Sequence, residues 1–251
     1  MLVRNNIDRD LAVLALADTE HTQGSIRSDR GGDAAWLGAA VVSSSGLPTA
    51  QWNAAVVVSP AAFDADATAK WFAHRGVPWG ALVPGGASFA YGHRAFTRKV
   101  MTVSANSLRH SSEGSVPRVA SVKDLAALVR VDEAAFGASD PGLLTQWLEP
   151  HLINEVVTTA AIDILGSPIA TGYVVVSDGR AGRTAHIGGI AVVPAMRRQG
   201  LAASVTTWLA DRAFDKGAEF VHLVTDNPAA ARLYTRLGFV EAATIDIYVD
   251  L

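Results

Sequence analysis

The spacing of apolar side chains changes along the second half of the chain. Leu125, Leu128 and Val129 recur at helical spacing, whereas the runs after residue 155 alternate as strands do. The three consecutive strand-like runs are separated by turn-forming residues, which predicts an antiparallel meander. The predicted elements are helices at 121–137 and 141–148, strands at 155–164, 168–177 and 183–193, a helix at 201–216, a strand at 219–224, a helix at 228–237 and a strand at 239–250.

The first hundred residues show shorter elements of both kinds. The pattern predicts helices at 10–18 and 64–74, and strands at 37–42, 53–59, 79–83 and 97–103. This is a small mixed α/β unit. Four of the six tryptophans lie in it, and we expect them to be core residues rather than ligand-stacking groups: Trp36, Trp52, Trp71 and Trp79.

A serine-rich stretch separates these two halves. Residues 104–117 read SANSLRHSSEGSVP, with five serines, a glycine and a proline between more apolar segments. We therefore predict an N-terminal α/β domain at 1–103, a linker at 104–117 and a second domain at 118–251. The fold class expected for the chain is α/β with a mixed sheet.

Composition narrows the range of functions. The chain has 251 residues, is 49% hydrophobic and 18% charged, and carries a net charge of -3, as ordinary globular proteins do. It has no cysteine, which excludes disulfides, thiolate metal sites and cysteine nucleophiles. No run approaches the roughly 18 apolar residues of a membrane span, and no basic stripe indicates nucleic acid. We expect a cytoplasmic protein without signal peptide, membrane segment, metal or nucleic-acid partner.

The segment RRQGLA at 197–202 carries the first chemical signal. It leaves a predicted strand and enters a helix through Gly200 without a hydroxyl or acidic capping residue. Free N–H groups at such a helix start, with the positive end of the helix dipole, form an anion site. Arg197 and Arg198 add donors suited to phosphate oxygens. The alternative is a solvent-exposed basic turn, and the sequence has neither a Walker nor a dinucleotide glycine motif.

The last predicted helix carries the second signal. Asn227 and the proline after it form a good helix start, and Gly238 a good stop, so capping alone explains both. Tyr234 lies two turns after Asn227 on the same face, where small alanines leave room for a ligand. A plain core tyrosine is the alternative interpretation.

Together these residues resemble the Gcn5-related N-acetyltransferase (GNAT) family. The acyl-CoA loop of that family matches Arg197, Gly200 and Ala202, and NPAAARLYTRLGFVE matches a second family motif in register. The resemblance covers residues 118–251, and the first 103 residues resemble the degenerate N-terminal partner of two-part members. It implies a GNAT fold with acetyl-CoA as co-substrate. The residues implied in cofactor binding are Ile190, Val192, Arg197, Arg198, Gln199, Gly200, Leu201, Ala202 and Asn227.

The resemblance also implies catalytic roles. Backbone groups of Ile190 and Val192 would bind the pantetheine arm, and the Val192 N–H would polarise the thioester carbonyl. Tyr234 would protonate the departing thiolate, because a phenol can serve a thiolate of lower pKa as a general acid. Gly188 and Gly189 fit a bulged strand, although glycine in a strand also marks simple packing constraints.

The base that deprotonates the acceptor amine is less evident. Many family members carry a glutamate on the strand at 183–193, and this chain has none there. His186 is the first candidate, because strict alternation places it on the face of Ile190 and Val192. A solvent-facing histidine is the alternative, and His222 and Glu155 are weaker candidates. Without a cysteine or a serine triad, we expect direct attack of the amine on the thioester.

The acceptor is indicated only by charge. Residues 118–251 hold 11 basic and 15 acidic side chains, a balance of -4 that suits a cationic amine. We predict an N-acetyltransferase acting on a primary amine of a small molecule, polyamine-like or an aminoglycoside, and we consider a homodimer. The alternatives are a protein or peptide amine as acceptor, and an acyl-CoA-binding module without turnover.

Overall fold

A computed structural model describes residues 7–110, 115–137 and 140–250. The predicted linker therefore lies partly outside the described residues, at 111–114. The helices are α1 Arg9–Ser25, α2 Ala65–Arg75, α3 Leu125–Phe136, α4 Pro141–Leu148, α5 Leu201–Asp215 and α6 Pro228–Arg236. The strands are β1 Asp33–Leu37, β2 Ala40–Ser44, β3 Asn53–Val57, β4 Gly80–Pro84, β5 His93–Val103, β6 Arg118–Val119, β7 Val157–Ile164, β8 Ser167–Gly179, β9 Gly182–Val192, β10 Phe220–Thr225 and β11 Val240–Val249.

All the described strands form one mixed sheet, in the order β1-β2-β3-β4-β11-β5-β10-β9-β8-β7-β6. Two neighbouring pairs are parallel, β3 with β4 and β9 with β10, and each pair is joined through a helix. The other pairs are antiparallel, including the predicted meander β7-β8-β9. The α/β fold class with a mixed sheet is confirmed.

The N-terminal elements differ from prediction in two places. The prediction of one strand at 37–42 is wrong, because a hairpin turn at Gly38 and Ala39 separates β1 from β2. Gly38 adopts a left-handed conformation there (φ +55°), and the apolar residues on both sides conceal the turn in the sequence. The first helix also continues beyond residue 18, as far as Ser25.

The two predicted halves share this sheet. Strand β5, from the first 103 residues, lies between β10 and β11 and pairs with both. The start of the predicted linker packs against α6, where the Arg109 N–H donates to the Leu237 carbonyl at 2.9 Å. The division into domains remains a prediction from the sequence.

The sheet has two covered faces, which we call the α5 face and the α1 face. On the α5 face, α5 and α6 pack against strand residues such as Ile187 and Val221. On the α1 face, Leu16 of α1 packs with Val100 and Ile245. The sheet curves around α1, since the Arg180 guanidinium at the β8-β9 turn lies 3.5 Å from the ring centroid of Trp36 on β1.

Candidate active site

Strands β9 and β10 separate after three paired residues. Their parallel ladder runs from Thr184 with Phe220 to His186 with His222. Beyond it β10 continues along β5, and β9 continues along β8. The edge of β9 that faces β10 is therefore left open, and we call this opening the split.

A bulge lies on β9 directly beyond the last paired residue. Gly189 has a left-handed conformation (φ +61°), and Gly189 and Ile190 together lie opposite Gly172 of β8. The extra residue reverses the alternation of side chains. Ile190 consequently packs with Val192 on the α5 face.

The face predicted for His186 is therefore wrong. His186 lies before the bulge and pairs with His222, on the α1 face. Ile190 and Val192 lie after the bulge, on the α5 face. Strict alternation failed because Gly189 inserts one residue into the strand.

The backbone of Val192 faces the split. The N–H of the next residue, Val193, donates to Ile169 on β8 at 3.0 Å, so the Val192 N–H lies on the opposite edge. The Val192 carbonyl also faces that edge, where it accepts from Arg197 Nε at 3.2 Å. This amide occupies the position from which the resemblance expects a donor to the thioester carbonyl.

Arg197 binds the protein itself. Besides Val192, its guanidinium donates to the carbonyl of Ala135 at the end of α3, at 2.8 Å. Of the two arginines predicted to bind phosphate, Arg197 thus ties the turn to β9 and α3. Arg198 is exposed, in a left-handed conformation (φ +62°), and Gln199 beside it is exposed as well.

Helix α5 begins without a side-chain cap. Its N-cap residue is Gly200 (φ +77°), and its first intrahelical bond runs from the Ser204 N–H to the Gly200 carbonyl at 3.0 Å. Among the described residues, no group accepts from the N–H groups of Leu201, Ala202 or Ala203. These amides and the helix dipole remain available to an anion at the mouth of the split.

Helix α6 lies on the other side of the split. Asn227 caps it, accepting through Oδ1 from the N–H groups of Ala229 at 2.9 Å and Ala230 at 3.3 Å. Tyr234, two turns on, is 7% exposed and faces the α5-face core, its ring 5.8 Å from that of Phe239. Burial raises the pKa of Tyr234 to about 12. The phenol therefore stays protonated at neutral pH, as a general acid requires.

The candidate bases differ in their surroundings. Burial lowers the pKa of His186 to about 4, and burial and the neighbouring His186 lower that of His222 well below its ordinary value. Both rings, 5.0 Å apart, are thus neutral at pH 7. Glu155 is exposed at the turn before β7.

Glu20 on α1 is a carboxylate that the sequence analysis does not predict as a site residue. Glu20 follows Thr19, whose Oγ1 lies 3.3 Å from Nε2 of His222. The signal was a series of polar residues four apart, Thr19, Gln23 and Arg27, which are buried although the helix before them is apolar. Polar groups at such positions indicate a polar site rather than a core.

A groove of about 750 Å³ lies between α6 and the strands β5 and β11. Its lining includes Asp226 and Asn227 just beyond the end of β10 and the basic residues Arg98, Lys99, Arg232 and Arg236. Within the described ranges, no group of three or more His, Cys, Asp or Glu residues is arranged to hold a metal ion. No helix there is long and apolar enough to cross a membrane.

The comparisons with known proteins agree with this geometry. Residues 125–239 match the model of the Acetyltransferase (GNAT) family. This match gives residues 125–239, which include the split, α5 and α6, a GNAT acetyltransferase domain of the kind that uses acetyl-CoA as co-substrate. A comparison with curated proteins finds no significant match.

Solved structures extend the likeness to the first half of the chain. A GCN5-related N-acetyltransferase from Kribbella flavida is 21% identical, with a TM-score of 0.70 over 94% of this chain and 95% of its own. A GNAT-family protein from Novosphingobium aromaticivorans is 15% identical, with a TM-score of 0.61 over 96% and 97%. A GNAT acetyltransferase from Colwellia psychrerythraea is 16% identical, with a TM-score of 0.57 over 86% and 84%. At these identities the likeness shows the fold.

Proposed function

We propose that this GNAT enzyme transfers the acetyl group of acetyl-CoA to a primary amine of a small molecule. The observation that carries the proposal is the uncapped start of α5 at Gly200, beside a strand whose Val192 N–H faces the split. An anion held by the free amides of α5 would place a linear tail along the open edge of β9. A diphosphate with a pantetheine arm has that shape and charge.

The arrangement supports direct acyl transfer. The neutral amine nitrogen attacks the thioester carbon, and the Val192 N–H stabilises the negative charge that develops on the carbonyl oxygen. The C–N bond forms, the C–S bond breaks, and the leaving thiolate takes the proton of Tyr234. A proton from the attacking nitrogen restores the phenol. The predicted roles of Arg198, Gln199 and Asn227 in holding the co-substrate remain proposals of the same kind.

A cationic small molecule suits the charges of the C-terminal residues. Their balance of -4 includes the basic residues of the turn at 197–198, so the remainder is more acidic still. We therefore place polyamines and aminoglycosides ahead of a protein amine as acceptors. A cytoplasmic location and a homodimer remain predictions from the sequence.

Two measurements test the proposed function. Calorimetric titration with acetyl-CoA measures binding, and release of free CoA is followed by thiol titration in the presence of spermidine, neamine and a short peptide. The thiol assay is clean because the protein has no cysteine. We expect binding, and release that depends on spermidine or neamine. Binding without release would favour the non-catalytic module, release with the peptide alone would favour a protein acceptor, and absence of binding would contradict the proposal.

A further inference from the structure

The layer between α1 and the sheet contains buried polar atoms without partners. Among the described residues these include Gln23 Oε1, Arg27 Nε, His151 Nε2, His186 Nδ1 and His222 Nδ1. A buried polar atom without a hydrogen bond costs about 1–3 kcal/mol. Such a concentration on one face indicates that polar molecules, substrate or water, complete this layer.

The contacts of α1 fix its orientation over the strands. Asp18 Oδ2 accepts from the Ala181 N–H at 2.7 Å, in the turn that leads into β9. Thr19 reaches His222, in the last paired row before the split. Each residue turns the helix by about 100°, so Glu20 lies on the flank opposite Asp18. That flank faces the C-terminal ends of β9 and β10, where the split opens.

The end of α1 continues this layer across β8. The Arg27 guanidinium donates to the Trp147 carbonyl and lies 3.2 Å from His151 Nδ1. The His151 ring centroid is 4.5 Å from that of Tyr173, and the Tyr173 ring covers the glycines of the β9 bulge so closely that a Cβ at Gly188 would lie 2.6 Å from its hydroxyl. Glu20 follows Thr19 on α1. Burial and, after it, the nearby charge of Glu20 raise the pKa of the Tyr173 hydroxyl. Because the Tyr173 ring covers the bulge, this proximity places Glu20 near the bulge, on the α1 side of the split.

We propose that Glu20, from the N-terminal half, is the residue that takes the proton of the acceptor amine at the split. This inference rests on the proposed function. The amine arrives as an ammonium ion from the α1 face, transfers one proton to the Glu20 carboxylate and attacks the thioester held from the α5 face. Glu20 then releases that proton to solvent. One amide, one thiol and one proton result, so the helix α1 supplies the carboxylate that β9 lacks.

The surroundings of Glu20 suit this exchange. Burial raises its pKa to about 7, and the nearby Arg27 and Arg98 lower it by less. Arg98 is also 3.6 Å from Asp226, the residue after β10, which places it beside the split. The charged and titratable groups near Glu20 are Arg27, two residues beyond α1, Arg98 on β5 and Tyr173 on β8. Asp132 on α3 lies near Tyr173, and the paired His186 and His222 lie beneath the neighbouring Thr19. Asp132, whose pKa burial raises to about 6, adds a second carboxyl for a cationic acceptor.

The test is the pH profile of Glu20→Gln. With the best acceptor among spermidine, neamine and the peptide, we expect kcat/KM at pH 7 to fall about 100-fold, and the inflection near pH 7 to disappear. Glu20→Asp should retain the inflection at a reduced rate. Glu219→Gln, an exposed glutamate at the opposite end of β10, should behave as the unmodified protein does. Thermal unfolding checks that each variant is folded.

A second readout needs no turnover. Spermidine binding to the CoA complex, measured by calorimetry across pH 5–9, should show the same ionisation in the unmodified protein and lose it in Glu20→Gln. An unchanged profile in Glu20→Gln, in turnover or in binding, would overturn the role of Glu20. In that case intact acetyl-CoA binding by the same samples would leave the proposed function standing, whereas its absence in the unmodified protein would contradict the proposed function itself.

Discussion

The chain contains the same supersecondary unit twice, once in each half. Units β3-α2-β4 and β9-α5-β10 both join two parallel strands through a helix, and both strand pairs share three paired rows. Helix α2 begins at Asp64, whose carboxylate accepts from the Ala67 N–H at 2.9 Å. Helix α5 begins at Gly200 with no such bond. The two units share one topology, but only the second leaves its first helical amides free for the anion proposed above.

The first strands of the two units also differ, because β3 is regular and β9 is interrupted. β3 pairs with β2 in unbroken register and is buried along its whole length. β9 is interrupted by the bulge at Gly189 and opens toward the split. After β4 the described chain passes to β5 without a helix, whereas β10 is followed by α6 with Tyr234. We therefore assign a structural role to the first unit and the proposed chemistry to the second.

The strongest way to break this contrast is to give α5 the cap that α2 has. Gly200→Asp places a carboxylate beside the free amides of α5, in a left-handed conformation that aspartate tolerates better than most residues. It competes with the diphosphate for the amides and repels it. We expect acetyl-CoA affinity to fall nearly a thousandfold, about 4 kcal/mol, in a calorimetric titration.

Gly200→Asn is the matched control, since it has the same shape and no charge. It should weaken binding much less than Gly200→Asp. Equal losses in the two variants would attribute the effect to the backbone at residue 200. Unchanged affinity in Gly200→Asp would contradict a phosphate site at α5.

The next effect concerns Tyr234, which has no counterpart in the first unit. Tyr234→Phe keeps the packed ring and removes the only proton that the leaving thiolate is proposed to take. We expect kcat to fall about 100-fold, while the acetyl-CoA dissociation constant stays within twofold. Steady-state release of CoA and calorimetry measure the two quantities. A normal kcat would exclude Tyr234 as the acid, and a matching loss of affinity would indicate a role in packing.

Residues with local signals were predicted well from the sequence. The caps and stops of α6, Asn227 and Gly238, and the glycine turn before α5 gave nearly correct helix bounds. The meander followed from the turns between its strands. Each of these features depends on interactions between residues close together in the chain. Capping and turn preferences are therefore enough to predict them.

Features that depend on distant pairing were not predicted. β5 enters the sheet between two strands that follow it by more than a hundred residues. The bulge at Gly189 reversed the face of Ile190, which alternation alone places wrongly. The proposed position of Glu20 at the split depends on contacts of α1 with residues 163 and 203 positions further along the chain. No local pattern in the sequence specifies these contacts.

The contact between α1 and the C-terminal strands should also make the fold sensitive to acid. Burial lowers the pKa of His151 to about 3 and of His186 to about 4, and His222 is lowered strongly as well. The unfolded chain therefore binds more protons than the native one below pH 6.5, and stability is lost as pH falls toward 4. Glu20 and Asp132, with raised pKa values, offset part of this loss between pH 7 and pH 4.5.

Three histidines outweigh two carboxyls, so the free energy of unfolding should fall by about 2 kcal/mol from pH 7 to pH 5. Urea denaturation at the two pH values measures this difference. His222→Gln removes one of the three histidines that titrate. It should therefore lower the difference in the free energy of unfolding between pH 7 and pH 5 by about 2 kcal/mol, which is nearly the whole of that difference. Stability that rises on acidification would mean that the carboxyls dominate the layer.

The smallest effect is expected from the converse change, which removes the cap of α2 instead of adding a cap to α5. Asp64→Ala deletes the bond to the Ala67 N–H and should lower the free energy of unfolding by about 1 kcal/mol in urea. It should leave acetyl-CoA affinity and kcat unchanged, because the first unit lacks both the bulged strand and the tyrosine helix. A change in affinity would show that α2 takes part in binding, and the two units would then differ in degree rather than in kind.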